Sequence, residues 1–276
     1  TNWTSLSAKL DEFSRHGDIG ISVMSHTGEV WSRQGDIQFP AASVAKIPVM
    51  ITIYRLIDLG QITLDHEHVL QDDDKSNGSG VLRHMRSGIV LSLSDLIFLM
   101  VSISDNTATN ILIRTVGMNS IQSTMRELRM YNSNLSRFFV GRLAIDGERE
   151  NMATPNDYVH ALDAIVSGEA ASTSACEAML TTLSLQQNRH RIGRYVPKDS
   201  NFRWGSKTGT NPGITNDVGF VTSSLGTMRI AILCRDLQSE VVGEQLIADA
   251  TLAAMQSTNI FPRGHSSPST NSLNYV

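Results

Sequence analysis

The sequence has little of what would tie it to a bilayer or to nucleic acid. Its longest apolar runs, such as "LIFLMVSI" at 96–103, fall far short of the roughly 20 residues that span a membrane. No basic cluster interrupts a formal net charge of −4 and a pI near 6.0, which excludes general affinity for nucleic acid or for an anionic membrane surface. Only two cysteines occur, Cys176 and Cys234, too few for a ligand cluster, and both are expected to be buried free thiols. No charged-then-apolar leader is present and the chain begins at Thr1, so a mature or trimmed form is expected. A periplasmic or secreted location would follow from that, and a cytoplasmic one otherwise. No internal repeat is found.

What is present reads as an ordinary globular chain: 276 residues, 41% apolar and 18% charged. "DIGISVMS" and "EVWSRQ" alternate apolar and polar residues around "HTGE", the pattern of a β-hairpin. Near the other end "NDVGFVTS" and "MRIAILCRD" flank "SLGT" in the same way, with "FRWGSKTGT" as a further strand before them. Between the two ends the pattern is helical. "PVMITIYRLIDLG" closes on Gly60, Ser92 with Asp95 forms a capping box ahead of an apolar run, and Thr154-Pro155 with Asp157 opens a helix that stops before Gly168. Further helices are expected at about 107–116, 120–129, 174–184 and 241–256. The fold class is therefore α+β: an antiparallel sheet from both chain ends, covered by helices, with an all-helical region inserted between its strands and a cleft at the seam. The sheet part is placed at about 1–45 and 198–257 and the helical part at about 46–197. The Ser- and Asn-rich end, 258–276, is expected to be a disordered tail. The protein is expected to be a monomer.

Three short motifs carry chemistry. Ser43-Val44-Ala45-Lys46 is an S-x-x-K match of the kind that arises about once by chance in a chain of this length. Ser104-Asp105-Asn106 and Lys207-Thr208-Gly209 are each much rarer, and the three follow in the order typical of penicillin-recognising serine enzymes. Ser43 falls where the first strands give way to a buried helix, Ser104 in the break between two helical patterns, and Lys207 on a predicted strand. All three can converge on the seam.

A serine hydroxyl is a poor nucleophile until a base removes its proton, and a residue three positions later is close enough to do so. Lys46 can be that base only if its pKa falls well below about 10.4, which burial and a second cation, Lys207, would achieve. Ser104 would pass a proton to the leaving group, and Asn106 would hold an amide of the acyl side chain. Lys207 and Thr208 would bind a substrate carboxylate, and Gly209 would let the strand backbone approach. The amides of Ser43 and Thr210 are the natural oxyanion donors.

The stretches "PAASVAKIPVM", "VSISDNTATNILI" and "GSKTGTNPGITNDVGFV" resemble those of the class A β-lactamases and related serine hydrolases, and the resemblance covers about residues 3–257. It implies a β-lactamase/transpeptidase-like fold with a five-stranded antiparallel sheet, and an acyl-enzyme on Ser43 formed without metal or organic cofactor. The substrate it implies is a small molecule: a β-lactam, or a D-alanyl-D-alanine peptide or ester worked on by the same machinery. A penicillin-binding sensor that is acylated without turnover is the alternative of another class. One departure bears on turnover. The Ω-loop Glu-x-x-Leu-Asn of that family should precede Thr154-Pro155, yet its glutamate position falls near Phe138 and its asparagine near Arg142. Glu148 and Glu150 lie closer to the helix start and read as solvated or Arg-paired loop residues.

Other features are weaker. His66-Glu67-His68 lacks a third ligand pattern, "QDDDKSNGSG" lacks the ligand order of a calcium loop, and "NGSG" at 77–80 is not a nucleophile elbow. Arg191 and Arg194 are equally candidates for the cleft and for the surface. Pro48 has no N–H, so a helix continuing through it is expected to bend just after Ser43.

Overall fold

The computed structural model describes residues 1–261. In chain order its elements are α1 (Thr4–Phe13), β1 (Asp18–Met24), β2 (Val30–Arg33), β3 (Phe39–Pro40), α2 (Lys46–Asp58), β4 (Glu67–Val69), β5 (Val90–Ser92), α3 (Leu93–Ser102), α4 (Asn106–Val116), α5 (Met118–Glu127), β6 (Met152–Ala153), α6 (Pro155–Ser167), α7 (Thr173–Ser184), β7 (Arg203–Asn211), β8 (Ile214–Ser223), β9 (Gly226–Arg235) and α8 (Glu240–Ser257). Five strands form one antiparallel sheet in the order β2-β1-β9-β8-β7, so the two chain ends do meet in a single sheet. Ile21 of β1 stands opposite Ile232 of β9, and both are fully buried. β8 is buried at nearly every position because helices cover both faces of the sheet. On one face α1 and α8 contribute Leu6, Leu10, Leu246 and Ile247 to a core with Ile21 and Ile230. On the other, α2, α4 and α6 bring Ile51, Leu112 and Tyr158 against Phe39 and Val218. Helices α6 and α7 touch sheet strands as well as helices of the inserted region.

Local chemistry fixes the helix starts. Ser92 Oγ accepts from the Asp95 amide at 3.1 Å while Asp95 Oδ2 accepts from the Ser92 amide at 2.9 Å, the reciprocal capping expected of that pair. Thr154 caps α6 with Pro155 in its first turn, and Gly168 ends it at φ 81°. The proline in "AKIP" does not bend a continuing helix. The chain makes a 3-10 turn over Ala42–Ala45, and α2 begins afresh at Lys46. Pro48 therefore sits in a first turn, where its missing N–H leaves no hydrogen bond unmade.

Two further expectations are corrected. Helix α1 was not foreseen, since only Leu6 and Leu10 in it are buried and no side chain caps it. Order also extends beyond 257: Thr258 and Ile260 are 4% and 0% exposed, Ile260 closing the α8 core, while the tail "RGHSSPSTNSLNYV" lies outside the described residues. Cys176 and Cys234 are buried and free.

Candidate active site

Ser43 lies in the 3-10 turn at the edge of the sheet, and the residue before it, Ala42, is held at φ 46°. Ser104, between α3 and α4, has φ 60°. Both are left-handed conformations that cost a non-glycine residue energy and persist where surrounding structure enforces them. At Ser104 the result is that its carbonyl and its hydroxyl face the same partner. Lys46 Nζ lies 2.7 Å from Ser104 O, 3.0 Å from Ser104 Oγ and 2.8 Å from Asn106 Oδ1.

Those contacts decide how a proton can travel. Lys46 is fully buried, and desolvation first, then the charge of Lys207, push its pKa well below the ordinary lysine value, against a smaller opposing pull from Asp105. A neutral amine has two N–H donors and one lone pair. As an ammonium Lys46 donates to all three oxygens; once neutral, it still donates to the carbonyl and the amide oxygen, which can only accept, and its lone pair is left for the Ser104 hydroxyl. Lys46 and Ser104 thus form a hydrogen-bonded pair along which a proton can pass in either direction. Lys207 is buried as well and donates to Thr208 O at 2.8 Å. Burial lowers it to about 7, Asp217 pulling it up and Arg191 pushing it down.

The cleft itself has two lobes. Ser43, Ser104, Thr208 and Thr210 line one of about 430 Å³, together with Gln187 and His190. Ser43, Asn106 and Thr210 also face the other, whose far wall is the segment from Arg137 to Arg142. Gly209 holds the two sides together: a Cβ there would stand 3.0 Å from both the Ser43 amide nitrogen and Ala41 O. Strand β7 reaches the Ser43 turn because that residue has no side chain, which brings Thr210 to the same wall as Ser43. Asn216 of β8 secures the turn from behind, its Nδ2 donating to Pro40 O and Ala41 O at 2.9 and 3.1 Å.

Of the residues singled out from the sequence, Ser43, Lys46, Ser104, Lys207, Thr208, Gly209 and Thr210 are brought together at or beside the cleft. Asn106 is engaged differently from the role expected for it. Its Oδ1 accepts from Lys46 and its Nδ2 donates to Asn77 O at 2.9 Å, so both ends of its amide belong to the protein. Glu148 is gripped by Arg142 at 2.6 and 2.8 Å, and these bonds, with the Ile145 amide, lower its pKa to about 2. Glu150 lines the Ser43 lobe but accepts from the Ala144 and Asn151 amides at 2.6 and 2.9 Å. His68 pairs with Asp74 at 2.7 Å, and among the described residues no cluster suited to a metal ion forms.

Three residues that shape this geometry, Asp105, Asn110 and Phe139, were not assigned a role beforehand. Asp105, fully buried, caps α4 through the Ala108 amide and also accepts from the Val81 and Leu82 amides at 2.7 and 2.9 Å, fixing the 77–82 loop above the cleft. Asn110 accepts from Phe139 N and donates to Phe139 O at 2.9 and 2.8 Å, which sets the Phe139 ring 4.8 Å from Lys46 Nζ. Arg191, left between two readings, is fully buried beside Thr210, whereas Arg194 stacks on Tyr195 at 5.6 Å. The adjacent aromatics of "RFFVG" were the one sequence signal for the Phe139 contact.

A family profile described as "Beta-lactamase enzyme family" matches residues 5–258. This chain belongs to that family. A crystal structure of β-lactamase from Sphaerobacter thermophilus is 45% identical, superimposes with a TM-score of 0.93, and is matched over 95% of this chain and 100% of that one. β-Lactamase BRO-1 of Moraxella catarrhalis is 25% identical over 74% of this chain and 65% of its own length. β-Lactamase CARB-4 of Pseudomonas aeruginosa is 28% identical over 60% of this chain and 58% of its own. The chain thus spans less than two thirds of those two curated relatives. Its fold is the five-stranded antiparallel sheet flanked by helices that the resemblance implied. Among the described residues no helix is long and apolar enough to cross a membrane.

Proposed function

We propose that the protein attacks β-lactams through Ser43 to give a covalent acyl-enzyme, with fast acylation and slow hydrolysis. The observation that carries this reading is the environment of Lys46: a fully buried amine, depressed by desolvation and Lys207, within 3.0 Å of the Ser104 hydroxyl. Lys46 takes the proton of Ser43 as the hydroxyl oxygen bonds to the carbonyl carbon. The Ser43 and Thr210 amides stabilise the oxyanion. As the tetrahedral intermediate collapses and the C–N bond breaks, Ser104 gives its proton to the departing nitrogen and is reprotonated from Lys46. The first half-reaction closes with every proton accounted for.

Slow release follows from the facing wall. A general base for deacylation must reach a water beside the acyl carbonyl. Here that wall presents Phe138 and Phe139, and the carboxylates nearest to it, Glu148 and Glu150, are bound to arginine and to backbone amides. This same feature favours, as a second reading, a D-alanyl-D-alanine peptidase or esterase whose acyl-enzyme is released more slowly than that of a resistance enzyme. Intact-mass measurements over time, after mixing with a penicillin, a cephalosporin and a D-Ala-D-Ala peptide, test both. A long-lived adduct on Ser43 with the β-lactams is expected. An adduct that turns over only with the peptide favours the second reading, and absence of any adduct with every reagent rejects both.

A further inference from the structure

The lobe of about 430 Å³ that holds Ser43, Ser104 and Thr208 is walled on its outer side by the 185–190 loop between α7 and β7. That loop is fastened to three elements. Gln186 Nε2 donates to Val101 O of α3 and Ser206 O of β7 at 3.4 and 3.3 Å, while its Oε1 accepts from the Asn188 amide at 3.0 Å. The Gln187 amide donates to Ser102 O at 3.1 Å. Asn188 Nδ2 donates to Glu244 Oε1 of α8 at 3.2 Å, and its Oδ1 accepts from the His190 amide at 2.9 Å. The backbone of His190 is therefore held in place. Its exposed ring lines the lobe and has no hydrogen-bond or ion-pair partner among the described residues.

Most polar side chains on this side of the lobe are already engaged. Ser102 Oγ donates to Phe98 O at 2.7 Å, and Gln187 Nε2 donates to Leu185 O at 2.9 Å. Thr210 Oγ1 accepts from Arg191 Nη2 at 2.7 Å and donates to Glu240 Oε1 at 3.4 Å. What is left is the hydroxyl of Thr208, assigned above to a substrate carboxylate, and the ring of His190. The charged groups of the neighbouring elements are committed too. Arg189 stacks on Trp204 at 5.6 Å, Arg191 faces Glu240 and Glu244, Lys207 feels Asp217, and Lys46 is held by Ser104 and Asn106. Among the described residues no carboxylate lines this lobe, so an anion entering it meets a free imidazole and no opposing charge on the lining.

We propose that His190 is a specificity-determining residue of the leaving-group lobe, its ring meeting the carboxylate that the leaving group carries, beside Thr208 and Lys207. The inference rests on acylation of Ser43 as proposed above and deepens it by naming the feature selected for: an anionic group on the departing side, as in a β-lactam free acid or a peptide with a free C-terminus. The imidazolium offers two N–H donors and a charge, and the neutral ring one donor. The preference for a carboxylate therefore grows as His190 takes up a proton, a dependence that a merely structural histidine would not confer.

The test compares second-order acylation rates, read by intact mass, for a penicillin as its free acid and as its methyl ester. Wild type, His190→Gln and His190→Lys are each assayed at about pH 5.5 and about pH 8.5, either side of the range in which an imidazole changes charge. His190→Gln is expected to lower the acid-to-ester rate ratio about fivefold at the lower pH, the upper end for one exposed ion pair, and less than twofold at the higher. His190→Lys, charged at both, is expected to raise the ratio above wild type at the higher pH. Lys207 also titrates, at about 7, but it does so in all three proteins, so the comparison is between proteins at each pH. A ratio in His190→Gln that matches wild type at the lower pH, or falls equally at both, overturns the inference while leaving acylation itself intact. If neither compound labels Ser43 in folded wild type or variants, the acylation reading fails and this one with it.

Discussion

Replacing Gly209 with alanine perturbs the site through backbone alone. The new Cβ would stand 3.0 Å from Ser43 N, 3.0 Å from Ala41 O and 3.2 Å from the Ala42 Cβ. None of these is the loose end of a flexible side chain, and Asn216 pins the turn from behind through Pro40 O and Ala41 O. Relief must come from separating β7 and the Ser43 turn by a few tenths of an ångström. That is small for the fold, because Gly209 makes its ladder contacts to Asn216 with or without a methyl group. It is large for the oxyanion, whose two donors come from the two parts being pushed apart. Losing one such donor costs on the order of 10²-fold in rate, so the acylation rate is expected to fall about that much while Tm shifts by only a few degrees. Stopped-flow or quenched mass spectrometry gives the rate, and calorimetry the Tm. An acylation rate within threefold of wild type, in a variant whose Tm is likewise unchanged, would refute the placement of the Ser43 and Thr210 amides as the oxyanion pair.

Lys46→Ala is expected to reduce acylation by 10³-fold or more, on the order seen when a general base is removed; an unaltered rate means another group deprotonates Ser43. Asp105→Ala strands three backbone amides, those of Leu82 and Ala108 buried and that of Val81 part-buried, and is expected to cost about 3 kcal/mol in urea unfolding; a loss under 1 kcal/mol would show that the 77–82 loop is held by other means. Lys46 and Lys207 have folded pKa values below their unfolded ones, Lys207 at about 7, so the unfolded chain binds more protons across the interval up to roughly 10.4 and their contribution makes stability rise with pH there. Lys207→Met is expected to flatten that rise in pH-dependent thermal melts, and an equally steep rise in the variant would place Lys207 outside the effect.

The α+β plan was legible because both hairpins carry apolar strand segments around short turn sequences and the central helices carry their own caps, as at Ser92 and Thr154. The three motifs were legible because they occur together and in order, the S-x-x-K match alone being no more than chance supplies. What escaped was held by long-range contacts. Asp105 was visible as the middle of a motif, but its work is to gather amides from a loop 23 and 24 residues away. Arg191 reads as one of several arginines in a polar stretch, and only the folding of α8 against β7 brings Glu240 and Glu244 to it. α1 has two apolar anchors and no cap, so its helicity depends on the α8 surface it covers. For Asn106 the residue type was legible and its partner was not, since an amide fits a lysine as readily as a substrate.

One contact above the cleft restricts how this protein can change. A Cβ on Gly78 would stand 2.7 Å from Gly141 Cα, and a Cβ on Gly141 would stand 2.6 Å from Gly78 Cα. Both residues have positive φ, so the facing wall of the cleft and the loop bearing Asn77 meet as bare backbone. A side chain on either one displaces the other, and with it the carbonyl that holds the Asn106 amide. The segment carrying Phe138 and Phe139 cannot be remodelled by itself: on the slow-release reading proposed above, a new deacylating group on that wall has to arrive together with a rebuilt 77–82 loop.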